Sequence, residues 1–286
     1  MEGIAETLAN FVNRTAFGDL PEYVTHEMGR LTLDSIGCAI AGHSTDRGTI
    51  VADLARKLGG PAESSIIGTG DKVSCANAAF TNGELMNALD FDALSNLGRH
   101  DVPTVIAAIL ALAERIGASG KDLVAATALG LEISGRVKSA VLGMHAPGRE
   151  EGTMLWPAVN GYSSASLGAA AGAAKLLSLH EEQVANAIGI AGYMCPPNTM
   201  RKWVDTTPVR MTKYGPPGWG AQAGVTAALL AEMGYVGDTD LFEGDFGFWR
   251  FTGKNKGEWN AQKVIEGLGT TWCCHEIIYK QYPCGL

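Results

Sequence analysis

A polar stretch between two apolar segments carries residue types that suit acid–base chemistry. It covers residues 87–101 and contains Asp90, Asp92 and His100. Histidine ordinarily titrates near neutral pH, and polar connections between buried helices commonly present catalytic groups. Because the two acids are two positions apart, they would not share one face of a helix. The residue types leave open whether His100 moves a proton or only forms a structural hydrogen bond, and whether the acids are a solvated helix end.

Two lysines lie in positions of interest. Lys213 is in a loop rich in Pro and Gly before a predicted helix at 219–233, and the start of a helix favours negative ligands. The alternative for Lys213 is an exposed lysine, which is the commonest fate of this residue type. Lys280 lies within a predicted strand at 277–282, after an apolar run, and taken alone it is a weak signal.

Composition limits the classes of function. The chain has 286 residues, of which 46% are hydrophobic and 18% charged, as in soluble globular proteins. Its net charge of -8 makes nucleic acid an improbable partner, and an anionic ligand would need a local basic pocket. The six cysteines are scattered and form no disulfide framework, so we expect a reducing compartment, the cytoplasm. We expect no secretory peptide and no membrane span.

The positions that must hold these residues are predicted to be mainly helical. Hydrophobic periodicity and capping residues predict long helices at 4–14, 22–41, 48–58, 75–89, 104–116, 121–142, 162–177, 180–191 and 219–233. A short helix at 263–268 and a β-like run at 64–67 complete the prediction. The adjacent residues Cys273, Cys274 and His275 lack metal-ligand spacing, so we expect no metal site there.

Several segments together resemble the MmgE/PrpD family, which includes 2-methylcitrate dehydratase, cis-aconitate decarboxylase and iminodisuccinate epimerase. The most specific is residues 68–92, a Gly-Thr-Gly-Asp-Lys-Val-Ser run that continues through Asn82-Gly83 to Asp90-Phe91-Asp92. Further matching segments are GAAAGAAKLL at 168–177, GWGAQAGVTAALL at 218–230, FEGDFGFWR at 242–250 and IYKQYPC at 278–284. The resemblance covers nearly the whole chain.

The resemblance implies an all-α domain, a smaller α/β lid, an active site between them, homodimers, and no metal or organic cofactor. We therefore expect residues 1–276 to form the helical domain. Residues 277–286 would begin the strand that leads into a lid, and the chain ends where most or all of the lid would follow.

The resemblance also assigns roles to residues. Asp90 and His100 match the acid and histidine of the family loop, and Lys213 and Lys280 match its two lysines. His100 would act as acid or base, with Asp90 orienting it or sharing its proton, while the lysines bind carboxylate and stabilise negative charge. Lesser candidates for substrate contacts are Arg99, Tyr214, Asn96 and Trp156.

Some family positions differ here. Ala93 and Leu94 stand where the family often has an acid and a threonine, and Val159-Asn160 and Pro216 stand where it has histidines. The leading expectation is a cofactor-independent lyase or isomerase that transfers a proton next to a carboxylate of a small organic acid. The alternatives are a reshaped enzyme for a more apolar secondary-pathway intermediate, and a non-catalytic paralogue that binds a ligand or a subunit.

Overall fold

The helices and strands come from a computed structural model, which describes residues 3–95, 100–140, 162–195, 206–213, 215, 217–248, 259–275 and 277–284. The helices are α1 Ile4–Arg14, α2 Glu22–Gly42, α3 Asp46–Leu58, α4 Cys75–Asn87, α5 Val102–Ile116, α6 Gly120–Ser139, α7 Tyr162–Leu176, α8 Glu181–Met194, α9 Pro217–Glu232 and α10 Gln262–Ile265. The strands are β1 Ser64–Ser65, β2 Lys72–Val73, β3 Leu94–Ser95 and β4 Ile277–Ile278. The predicted all-α class is confirmed.

Local capping explains where several helices begin and end. The Thr45 hydroxyl accepts a hydrogen bond from the Gly48 N–H at the start of α3 (3.0 Å). Ser119 forms the corresponding cap of α6 by accepting from the N–H of Asp122. Gly117 ends α5 in the left-handed conformation that glycine adopts without strain. These signals are local in sequence, which is why the helix predictions agree closely with the structure.

The core is formed where α5, α6, α7 and α9 pack on one another, with small residues at their crossings. A Cβ added to Gly168 on α7 would lie 2.2 Å from the carbonyl oxygen of Gly130 on α6. A Cβ on Gly224 of α9 would lie 2.4 Å from the Cβ of Ala169. Helix backbones therefore approach each other closely, and α4 and α9, which flank the candidate site, are held rigidly by this core.

The described strands form two short antiparallel pairs, a local hairpin and a pair between distant parts of the chain. In the first, Ser64 pairs with Val73. In the second, Leu94 of β3 pairs with Ile278 of β4. The predicted strand at 277–282 is thus shortened to Ile277–Ile278, because β3 offers only two residues for pairing. This second pair brings the polar stretch 87–95 beside the segment that carries Lys280.

A buried ion pair on α6 holds the segment that precedes β4. Glu132 is fully buried and accepts hydrogen bonds from Arg136 Nε (2.6 Å) and from the N–H of Cys273 (2.8 Å). Arg136 also donates to the carbonyl oxygens of Glu266 (2.6 Å) and Thr271 (2.7 Å). The irregular segment before Lys280 is therefore held by charge-assisted hydrogen bonds to α6.

None of the helices in the described ranges is both long and apolar enough to cross a membrane. The division into residues 1–276 and 277–286 stays a prediction.

Candidate active site

Asp90 lies in a sharp turn directly after α4. Its φ is 52°, the left-handed region that non-glycine residues seldom adopt, although aspartate tolerates it better than most. Its N–H donates to the carbonyl oxygen of Asn87, the last residue of α4 (2.9 Å). The turn directs the carboxylate toward two lysines from distant parts of the chain, and contacts with those lysines hold the uncommon backbone conformation in place.

Lys213 and Lys280 converge on Asp90. The Lys213 ammonium donates to Asp90 Oδ2 at 2.5 Å. The Lys280 ammonium donates at 2.8 Å to both Oδ1 and the backbone carbonyl oxygen of Asp90. The side chain of Lys280 is fully buried, whereas those of Lys213 and Asp90 are 21% and 17% exposed. A buried ammonium requires such a partner, since an unpaired charge in the interior is very costly.

Asp90 is held in its ionised form. Burial acts to raise the pKa of Asp90, but hydrogen bonds from Lys213 and Lys280 and the positive charge of Lys280 together lower that pKa below its ordinary value. Two ammonium groups converge on this one carboxylate. Such a local concentration of positive groups is what an anionic ligand would need in a chain of net negative charge.

A histidine–carboxylate pair lies beside the lysine cluster. His100 Nδ1 is 3.0 Å from Asp92 Oδ2, and the two side chains are 9% and 1% exposed. With Asp92 ionised, Nδ1 carries the proton, so Nε2 is the nitrogen that would exchange a proton with a substrate. Ligand-type atoms of Asp90, Asp92 and His100 all lie within 4.8 Å of one another. The structure therefore joins the charge cluster and the histidine–carboxylate pair into one candidate site.

Asp90 and Asp92 contact different partners, which the residue types alone did not show. The sequence led us to expect Asp90 to orient His100 or share its proton. In the structure His100 Nδ1 donates to Asp92 Oδ2, whereas both carboxylate oxygens of Asp90 accept from lysines. Asp92 is thus a functional candidate that the sequence analysis left without a specific role.

Asp34 on α2 was missed altogether. Burial raises the pKa of Asp34, the nearby charge of Asp92 raises it further, and a hydrogen bond with the backbone of Ala93 acts in the opposite direction. No local motif marks this residue, because its proximity to the site arises only when α2 packs beside the loop after α4.

The three ligand-type side chains raise the question of a metal ion. Asp90, Asp92 and His100 could in principle offer one atom each. Both carboxylate oxygens of Asp90, however, already receive ammonium groups, and those of Asp92 receive Asn87 and His100. A cation would have to displace two positive charges, so these residues fit an organic anion better than a metal.

The remaining predicted substrate-contact positions and several of the positions that differ from the family lie outside the described residues. Arg99, Asn96, Tyr214 and Trp156 lie outside the described residues, as do Val159, Asn160 and Pro216. Ala93 and Leu94 are described and are buried, with exposed fractions of 0% and 2%. They therefore offer apolar groups where the resemblance would place polar ones.

Three cavities in the described part of the chain lie elsewhere. Their volumes are about 450, 440 and 600 Å³, and their linings include Lys175, Tyr193 and Glu181 respectively. The charge cluster lines none of these three. Convergent charges and the histidine–carboxylate pair, rather than cavity size, identify the candidate site.

The fold and site define a class: an all-α domain whose loops bring a lysine-bound aspartate beside a histidine–aspartate pair. The chain belongs to the MmgE/PrpD family, because the MmgE/PrpD N-terminal domain matches residues 6–259. This confirms the family that the motifs at 68–92 and 278–284 indicated.

Curated relatives are similar across the whole chain. Cis-aconitate decarboxylase of Aspergillus terreus is 26% identical over 296 residues, which cover 99% of this chain and 57% of the relative. Cis-aconitate decarboxylase of Homo sapiens is 26% identical over 295 residues, covering 100% and 57%. Cis-aconitate decarboxylase-like protein oryM of Aspergillus oryzae is 26% identical over 294 residues, covering 98% and 58%. The chain thus spans little more than half the length of these relatives.

Proposed function

We propose that this chain carries the acid–base centre of a cofactor-independent lyase that acts on a small polycarboxylate, with cis-aconitate as the first candidate substrate. The observation that carries the proposal is the convergence of Lys213 and the buried Lys280 on Asp90, beside the His100–Asp92 pair. The names of the relatives support decarboxylation as the reaction.

The lysines would bind the substrate. A substrate carboxylate entering beside Asp90 would share the ammonium groups of Lys213 and Lys280, each of which has three hydrogen atoms to donate. The side chain of Lys280 is fully buried, so its attraction for negative charge is screened less than that of a surface lysine. Negative charge that develops on the substrate during the reaction would be stabilised by the same groups.

In the proposed chemical step, one proton replaces the carbon dioxide that leaves the substrate. The bond between a carbon atom and its carboxylate breaks, carbon dioxide leaves, and the electron pair spreads through the neighbouring double bond toward a remaining carboxylate. His100, as the imidazolium protonated on both ring nitrogens, then delivers the Nε2 proton to carbon and becomes the neutral ring protonated at Nδ1. Solvent restores the Nε2 proton afterwards. The charge of Asp92 stabilises the protonated imidazole, as in other histidine–carboxylate pairs. The scheme uses side chains of this chain throughout.

A second candidate substrate class is suggested by the buried positions after Asp92. Ala93 and Leu94 present no polar side chain, so a substrate oxygen placed near them would lack a partner. A more apolar acid with fewer carboxylates would avoid that cost. A substrate panel that contains both tricarboxylates and dicarboxylates decides between the two classes.

The proposal is tested by assaying the chain with this panel and following the ultraviolet absorbance of the unsaturated acid together with released carbon dioxide. We expect His100→Ala and Lys213→Ala each to lower turnover by about 100-fold or more. Matched controls are His26→Ala, at an exposed position of α2, and Lys72→Ala, whose ammonium pairs with Glu114 at the surface (2.9 Å).

The possible outcomes separate the functional classes. Turnover that survives both site substitutions would refute the proposed mechanism. Tight carboxylate binding without turnover would favour a non-catalytic ligand-binding protein. A gain of ultraviolet absorbance without carbon dioxide would indicate a dehydratase, and isomerisation of the acid would indicate an isomerase.

We also propose that the chain forms a homodimer in the cytoplasm. Large apolar side chains are exposed along α2, including Leu33 at 72% and Ile40 at 54%, and exposed apolar surface commonly takes part in association. The scattered cysteines, which indicate a reducing compartment, support the cytoplasmic location. Light scattering at micromolar concentration tests the assembly, and a clean monomer would contradict it.

A further inference from the structure

A buried chain of hydrogen bonds leads from α3 to the histidine of the candidate site. Arg47 of α3 donates to Glu84 Oε2 through Nε (2.9 Å) and Nη2 (2.5 Å), and to Asn87 Oδ1 through Nη1 (3.2 Å). Asn87 Nδ2 donates to Asp92 Oδ1 (2.8 Å), and Asp92 Oδ2 meets His100 Nδ1 (3.0 Å). Five side chains from α3, α4 and the loop after α4 thus form one polar path through the interior.

The path is shielded from solvent along its length. Arg47, Glu84, Asn87 and Asp92 are 9%, 5%, 2% and 1% exposed. Replacing a buried ion pair with apolar residues is often neutral or stabilising, so the Arg47–Glu84 pair need not be present for stability. A role in fixing geometry is the alternative that the connection to the site supports.

The hydrogen bonds in this path can run in only one direction. Arginine has donors and no acceptor, so the oxygen of the Asn87 amide must face Arg47. The amide NH2 group must then face Asp92, where it requires an acceptor. With both oxygens of Asp92 acting as acceptors, the proton of the neutral imidazole lies on Nδ1 of His100. The guanidinium of Arg47 therefore orients the Asn87 amide, and through it the Asp92 carboxylate that accepts from Nδ1 of His100.

The same path connects the two halves of the site. Glu84 Oε1 accepts a hydrogen bond from the N–H of Gly218 in the first turn of α9 (2.9 Å). Thr104 of α5 donates to the carbonyl oxygen of Pro217, the first residue of α9 (3.0 Å). The loop before α9 carries Lys213. One buried ion pair thus anchors both the loop of His100 and the helix that follows Lys213.

We propose that Asn87, oriented by the Arg47–Glu84 ion pair, is a positioning residue that fixes Asp92 and thereby the tautomer and direction of His100. The inference rests on the proposed acid–base function of His100. Asn87 touches no substrate in this role. It acts through Asp92, so its loss should impair the proton-transfer step much more than substrate binding.

The variant Asn87→Ala tests this role, and Asn82→Ala is its matched control. Asn82 lies on the same helix, is also 2% exposed, and also makes two hydrogen bonds, with the N–H of Ile67 (2.9 Å) and the carbonyl oxygen of Ser65 (3.0 Å). The two variants therefore lose similar volume and similar numbers of hydrogen bonds, one beside Asp92 and one beside the β1–β2 hairpin.

We expect Asn87→Ala to lower kcat by about 10-fold to 100-fold while KM changes by less than about threefold. Nitrogen-15 shifts of the His100 ring should move from a single tautomer, protonated at Nδ1, toward a mixture of both. Asn82→Ala should lose comparable stability in urea but keep the wild-type kcat and the wild-type His100 spectrum. If Asn87→Ala does not fold, Arg47→Lys replaces it, because lysine keeps the charge beside Glu84 without the planar fork that orients the amide.

Unchanged kcat and unchanged His100 shifts in the folded Asn87→Ala or Arg47→Lys variant would overturn the inference, as would equal effects in the Asn82→Ala control. The nitrogen-15 measurement needs no turnover, so it separates this inference from the proposed function. A shifted tautomer in a protein whose turnover survives His100→Ala would keep the positioning role and refute the proposed chemistry.

Discussion

The charge of Asp90 can be removed with little change of shape. In Asp90→Asn the amide oxygen can still accept one hydrogen bond, but Lys213 and Lys280 lose the negative charge between them. Lys213 is partly exposed and can turn toward water, whereas the side chain of Lys280 is fully buried. The substitution therefore destabilises the protein mainly because the buried Lys280 ammonium loses its counter-charge.

The expected cost follows from that burial. Leaving one partner of a buried ion pair without its counter-charge typically costs about 3–5 kcal/mol. Since Asp90 is 17% exposed and the asparagine oxygen keeps one hydrogen bond, we expect a cost below this range, about 2–3 kcal/mol. Urea unfolding at neutral pH measures it. Asp53→Asn, which removes an exposed partner of Arg56, should cost less than about 1 kcal/mol.

A double-mutant cycle measures the interaction energy between Asp90 and Lys280. Lys280→Met removes the buried ammonium while keeping a side chain of similar length, so the double variant with Asp90→Asn contains no unpaired buried charge. We expect it to be about 2 kcal/mol more stable than the sum of the single effects predicts. Additive single effects would refute the conclusion that Asp90 and Lys280 are energetically coupled.

The pH dependence of stability gives a second test of the ionised state of Asp90. Because the folded-state pKa of Asp90 is lowered, its contribution to stability is present above the unfolded value of about 3.9 and is lost as pH falls through the lower folded value. The stability difference between wild type and Asp90→Asn should therefore shrink below about pH 4. A difference that stays constant into strong acid would contradict the assignment of an ionised, lysine-bound Asp90.

Three further predictions test the fold around the site. Gly83→Ala should lower the free energy of unfolding in urea by about 1–3 kcal/mol, because the new Cβ would lie 2.8 Å from the backbone of α9. Gly37→Ala, where the new Cβ would meet no atom within 4 Å, should raise that free energy by about 0.5–1 kcal/mol. Glu132→Gln should lower the free energy of unfolding by about 3 kcal/mol and increase hydrogen exchange before β4, because it leaves the buried Arg136 without its counter-charge. Exchange that stays unchanged would contradict this. The exposed Cys284 should react with thiol reagents in the folded protein, whereas Cys38, whose pKa burial raises to about 12, should react only on unfolding.

Local signals explain how much of the fold could be predicted. The first helix was predicted at 4–14 and is Ile4–Arg14, and the helix predicted at 104–116 begins only two residues earlier, at Val102. The short strand β3 was not predicted, because its pairing partner Ile278 lies far along the chain. Short strands of this kind depend on tertiary contacts rather than on residue preference.

The site was predictable in its residue types but not in its connections. The family resemblance singled out Asp90, His100, Lys213 and Lys280, and the structure brings the two lysines to the aspartate and His100 near it. No spacing rule links Arg47 to His100, since the path between them crosses α3, α4 and the loop after α4. Such a path becomes visible only when side-chain directions are known.

The most direct test of the central claim is a crystal structure of this chain soaked with a tricarboxylate such as cis-aconitate. The account predicts a ligand carboxylate within hydrogen-bond distance of the Lys213 or Lys280 ammonium, with the carbon skeleton facing Nε2 of His100. A carboxylate bound instead in the cavity beside Lys175, with Asp90 and both of its lysines uncontacted, would contradict it.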